Sequence, residues 1–97
     1  MTINSDFSVS PTDNIFGTVT GSASAVQFPS IEGIMARFKA RSGNIGSFFL
    51  GNEPNKCVFE IDASEDTGWV AINHLEFLWY RNPSGSSDYL NYWMQDE

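Results

Sequence analysis

Gly33-Ile34-Met35-Ala36-Arg37-Phe38-Lys39-Ala40 alternates between two kinds of side chain. Ile34, Ala36, Phe38 and Ala40 share one face, while Met35, Arg37, Lys39 and then Arg41 share the other, which is the period of two of a half-buried β-strand. A helix would scatter the same residues around its axis. Arg41-Ser42-Gly43-Asn44 is a turn cluster, since Gly and Asn best tolerate positive φ. It should reverse the chain into a strand over Gly46-Ser47-Phe48-Phe49-Leu50. Gly51 to Asn55 forms the next turn, and Pro54 has no amide to offer a central strand. Cys57 to Ile61 follows as a strand with Cys57, Phe59 and Ile61 on one side. Upstream, Ile15 to Thr20 is β-prone and is broken by Gly21-Ser22. Ala25 to Phe28 is a further strand, ended by Pro29-Ser30.

Towards the C-terminus, Asp62 to Gly68 reads as a polar loop. Strands are expected over Trp69 to Ile72 and Leu75 to Tyr80, separated by Asn73-His74. Leu75, Leu78 and Trp79 also share helical spacing, but aromatic density and the following Asn82-Pro83 favour a strand. Arg81 to Asp88 is a loop, and Tyr89 to Gln95 is the last strand, with aromatic residues on both faces. About eight short antiparallel strands with regular turn signals make an all-β fold, a small β-sandwich or barrel. The 97 residues and 41% hydrophobic content suit one core. The expected organisation is an N-terminal arm over residues 1–14 and a single β-domain over 15–97. The arm is rich in Ser, Thr, Asn and Asp, with Ile3, Phe7 and Val9 as apolar anchors. It reads either as an unordered tail or as a segment that docks on a neighbouring subunit.

Five Lys and Arg against twelve Asp and Glu give a formal net charge of −7, which repels a phosphate backbone, so nucleic acid is not an expected partner. No apolar run reaches the ~20 residues of a membrane-spanning helix, and Met1 to Ser10 lacks the pattern of a signal peptide. A soluble protein made in the cytosol of the producing cell is expected, with no membrane partner. Cys57 is the only cysteine, which rules out an internal disulfide and a multi-cysteine zinc site. Its place in an alternating apolar stretch makes it a core residue before a nucleophile. His74, between Asn73 and Leu75, has no second His beside it and reads as a loop residue. The acidic group Glu60, Asp62, Glu65 and Asp66 could offer oxygen ligands to calcium, but Gly68 is out of register with a calcium loop. Gly17 to Gly21 and Gly43 to Gly46 lack the Lys-Ser/Thr pair of a phosphate-cradling loop. No nucleophile and base pair stands out, so no enzymatic activity, metal or cofactor is expected.

Arg37, Lys39 and Arg41 concentrate three of the five positive charges on one strand face of an acidic protein. Cross-strand pairing with Glu60 or Glu76 explains them plainly. Docking between copies, the stripe of one against the acidic loop of the next, explains them equally well. Trp69, Trp79, Tyr80 and Trp93 are either core filling or a sugar-stacking platform.

Lys39-Ala40-Arg41-Ser42-Gly43-Asn44-Ile45-Gly46 leading to Leu50-Gly51, then Asp66-Thr67-Gly68-Trp69 and Leu75, resembles small virion structural proteins of tailed bacteriophages. The resemblance spans about Gly17 to Met94, and its motifs are turns and strands that carry no chemistry. It implies a non-enzymatic β-domain in the virion, assembled in the host cytoplasm. Capsid decoration, or cement, is the first expectation, and a tail, baseplate or head-fibre component is an alternative. The implied partners are copies of the chain itself, as a homo-oligomer, and other virion proteins such as the major capsid protein. This chain departs from the pattern in its short Gly51 to Lys56 turn and its aromatic end. The candidate partner-binding residues are therefore Arg37, Lys39, Arg41, Tyr89, Tyr92 and Trp93. A carbohydrate-binding module using Trp79 and Trp93 is the rival from another class.

Overall fold

The computed structural model describes residues 14–85 and 87–95. The arm expected over residues 1–14 thus falls, apart from Asn14, outside the described residues. Eight strands follow in chain order: β1 (Asn14–Thr20), β2 (Val26–Gln27), β3 (Met35–Ala40), β4 (Phe48–Gly51), β5 (Phe59–Ile61), β6 (Asp66–Ala71), β7 (Trp79–Arg81) and β8 (Tyr89–Gln95). They form two four-stranded sheets, β1-β8-β3-β6 and β2-β7-β4-β5, in which every pairing is antiparallel. The all-β, sandwich-like fold expected from the alternation is the one found.

Alternation becomes burial at the centre of the first sheet. Ala36, Phe38 and Ala40 of β3 and Leu90, Tyr92 and Met94 of β8 point inward and are buried. Across from them lie Phe48, Leu50 and Tyr80 of the second sheet. Phe28 joins the two layers, its ring 5.4 Å from that of Phe38, 4.8 Å from Tyr80 and 6.0 Å from Tyr92. Each such ring taken out of water contributes about 2–3 kcal/mol of apolar transfer, and tilted contacts add to it. Gly17 makes room for the cluster. It pairs with Tyr92, and a Cβ on it would sit 2.2 Å from the Tyr92 phenol.

The second half of the chain differs from expectation in four places. Strand β6 begins at Asp66, inside the stretch read as a loop, because a bulge hides its period: Arg37 pairs with Trp69 and Lys39 with Asp66, leaving two residues of β6 opposite Phe38 alone. Gly68 takes the positive φ of 70° that this bulge needs, and the Phe38 N–H turns to the Thr67 hydroxyl, 3.1 Å away. Leu75 to Phe77 is a 3₁₀ turn rather than the start of a strand, and only Trp79 and Tyr80 of the expected strand belong to β7. Leu75 is fully buried and its N–H bonds the Ile31 carbonyl at 2.8 Å, which fixes the turn as a plug for the core. Arg81 belongs to β7, not to the following loop. Finally, Phe59 shares the inward face with Cys57 and Ile61, yet only those two are buried, because β5 is an edge strand. A smaller difference is Ile34, which lies just before β3 and is exposed.

Candidate functional site

The outer face of the first sheet gathers five of the six residues singled out from sequence. Strand register sets the order: Phe16 faces Trp93, Trp93 faces Arg37, and Arg37 faces Trp69, so a row of four side chains crosses β1, β8, β3 and β6. At about 4.8 Å per strand the row is about 14 Å long. Phe16 and Trp93 meet edge to face with centroids 6.1 Å apart, and the Arg37 guanidinium lies 6.0 Å from the centre of the Trp69 ring. The next row is polar, Thr18, Asn91, Lys39 and Asp66. Beyond it Arg41 lies over the Tyr89 ring, 4.7 Å from its centre, and its Nε donates to the Asn91 side-chain Oδ1 at 3.4 Å. Lys39, Arg41, Ser42, Asn44, Tyr89 and Asn91 border an open depression of about 610 Å³ at this end of the face.

Arg37 is held by Asp66, not by Glu60 or Glu76. Its Nε donates to both Asp66 oxygens, at 2.9 and 3.0 Å, and its Nη2 donates to Oδ2 at 2.8 Å. Partial burial pushes the Asp66 carboxyl up, but the Arg37 hydrogen bonds, the Gly68 N–H and the Arg37 and Lys39 charges outweigh it and hold the group below the usual carboxylate range. Glu60 instead accepts from the Ser47 hydroxyl at 3.0 Å, and Glu76 lies 3.4 Å from His74 Nδ1. The basic stripe is therefore one braced arginine and two exposed cations, Lys39 and Arg41.

Tyr92 is the residue that does not join this face. It is 7% exposed and packs between the sheets, because the parity of β8 that turns Trp93 outward turns Tyr92 inward. Burial raises its phenol pKa. Trp79 lies on β7 of the second sheet, so Trp79 and Trp93 cannot grip one ligand together.

Three polar residues matter to the site in ways the sequence does not reveal, where Asn44 and Asn82 read only as turn residues and Asp88 only as a loop end. Asp88 is fully buried just before β8, and its carboxylate accepts the N–H groups of Ile45 at 2.7 Å and Gly46 at 2.8 Å and the Asn82 side-chain amide at 2.9 Å. Burial pushes this carboxyl up, and the three donors together bring it below its ordinary value. Asn82, also fully buried, accepts the Ser84 N–H at 2.8 Å. Asn44 accepts the Tyr89 N–H and donates to the Tyr89 carbonyl, both at 2.9 Å, so its amide mimics a paired backbone residue. These contacts clamp the Ser42–Gly46 turn against the start of β8 and so fix Arg41 and Tyr89.

The other sequence candidates resolve plainly. Cys57 is buried with its thiol near the Glu53 carbonyl at 3.6 Å, and burial, against the Arg81 charge, raises its pKa. No group of three or more His, Cys, Asp or Glu among the described residues is placed to hold a metal. Glu65 accepts the Asp62 N–H at 2.8 Å, and Asp62 accepts the Ser47 hydroxyl, so these acids act as turn residues. No described helix is long and apolar enough to cross a membrane. Comparison with protein-family models, curated proteins and solved structures finds no match.

Proposed function

We propose that this chain is a structural protein of a tailed-bacteriophage virion that decorates or cements the capsid, with the outer face of the first sheet as its docking surface. The observation that carries the docking surface is the row Phe16, Trp93, Arg37 and Trp69 across the four strands of one sheet face. Trp, Tyr and Arg are the side chains that concentrate binding energy in protein interfaces, since they offer large area at low entropic cost. Lys39 and Arg41 beside the row add positive charge to a protein of net charge −7, which favours an acidic partner surface there. The resemblance of the Lys39–Gly46 hairpin and the Asp66–Trp69 turn to virion proteins supplies the context, with the major capsid protein as the partner. A tail, baseplate or head-fibre position would use the same face.

Co-sedimentation of the purified protein with empty capsids tests the reading. Binding is expected, and Trp93→Ala should weaken it at least about tenfold, as loss of a central aromatic anchor does. Failure to bind, together with virions that lack the protein yet keep their resistance to heat, would remove the decoration role.

A further inference from the structure

On one side of the sandwich the edge strands β5 and β6 leave part of the core uncovered. Phe59 pairs with buried Leu50 and Val70 with buried Ala36, so register turns both side chains inward. Nevertheless Phe59 is 57% and Val70 38% exposed. Between them lies an apolar cleft of about 240 Å³ with Phe38, Leu50, Thr67 and Leu78 in its walls. The Thr67 hydroxyl is already engaged, accepting from the Phe38 N–H and donating to the Gly68 carbonyl. The cleft thus has room for apolar side chains and little to hold a polar ligand. Strand β6 pairs only with β3 among the described residues, so its other edge can accept a further strand.

We propose that the cleft is filled by residues 1–13 of a neighbouring copy, added as a strand along the edge of β6 that has no partner among the described residues, with Phe7 and Val9 inside. The sequence of that segment suits the place. Ile3, Phe7 and Val9 share the odd positions with the small Ser5, while Asn4, Asp6, Ser8 and Ser10 at the even positions are all polar. An extended segment therefore presents one apolar face and one polar face, as an edge strand over an open core requires. Length allows the exchange: thirteen extended residues span about 43 Å. Polarity decides which copy supplies them. The segment enters β1 at Asn14, which lies in one row with Gln95, Met35 and Ala71, at the end of the sheet where β6 finishes. Within one molecule it would have to cross three strand spacings, about 14 Å, and then run parallel to β6. A neighbour can add it antiparallel, the stronger pairing.

This inference deepens the assembly reading and is measured on purified protein without capsids, so either can fail alone. In a Cys57→Ala background, Phe7→Cys and Phe59→Cys are placed in the same full-length chain and oxidised with copper phenanthroline. Disulfide-linked dimers and larger species are expected, well above those of either single cysteine. Only an intramolecular bond, or no bond beyond the single variants, would overturn the proposal. As a second measurement, Phe7→Asp with Val9→Asp should leave the β-sheet circular dichroism intact and weaken self-association by at least about tenfold in light scattering. Unchanged association would overturn it equally.

Discussion

Two regions at the margin of the core are built on opposite principles. Where β8 begins, Asp88 and Asn82 are sealed from water and each is matched by hydrogen bonds to turn amides. Between β5 and β6, apolar side chains face inward and remain wet. A buried carboxylate with three donors stabilises the loops only if every partner stays in place. An uncovered apolar cleft contributes little until something covers it. In this molecule the polar node serves rigidity, whereas the apolar opening leaves inward-facing side chains in water.

The largest effect is expected at the node. Asp88→Ala should destabilise the protein by about 3 kcal/mol in urea unfolding, because the Ile45 and Gly46 amides and the Asn82 amide lose their acceptor. A loss below about 1 kcal/mol would mean that the node is dispensable and would break the contrast. Next comes Gly17→Ala, expected to cost about 1–3 kcal/mol as Tyr92 is forced from its place over the glycine. Acid should act on the node in the same direction. The folded pKa values of Asp88 and Asp66 are depressed, so the stability they contribute is fully present above the unfolded value of about 3.9 and is lost as pH falls through the folded values. Urea midpoints measured between pH 5 and pH 2 should therefore fall, and fall less in Asp88→Asn. Arg37→Met, which leaves the half-buried Asp66 without its two-pronged partner, should cost about 1 kcal/mol. The smallest effect belongs to the cleft. Phe59→Ser should cost the dilute protein no more than about 1 kcal/mol, since more than half of the residue is already in water.

How far the sequence speaks follows from the same physics. Strand β8 was readable to its ends, but the direction of its side chains was not, since aromatic residues occupy both faces: Leu90 and Met94 share parity with Tyr92, whereas Asn91 and Gln95 share it with Trp93. That parity placed Tyr92 inside, against its choice as a contact residue. On β3, strict alternation and a cationic outer face made Arg37, Lys39 and Arg41 neighbours on one surface before any coordinates. What stayed hidden depends on residues far apart. Asp88 meets Ile45 across 43 positions, and no local pattern marks it. Likewise, the start of β6 is masked by a bulge that exists only opposite Phe38, and the exposure of Phe59 reflects an edge that strand order alone reveals.

One property of the first sheet reaches into the making of the protein. Strand β8, the last of the described strands, lies between β1, the first of them, and β3. As the polypeptide emerges from a ribosome, β1 has no partner among the described strands and β3 lacks one of its two until residues 89–95 have been added. Such distant pairing makes folding slow, on the order of milliseconds to seconds. The sandwich therefore closes only once its final strand is free, and a chain stalled before Tyr89 exposes the inner faces of β1 and β3 to whatever quality control the cell maintains.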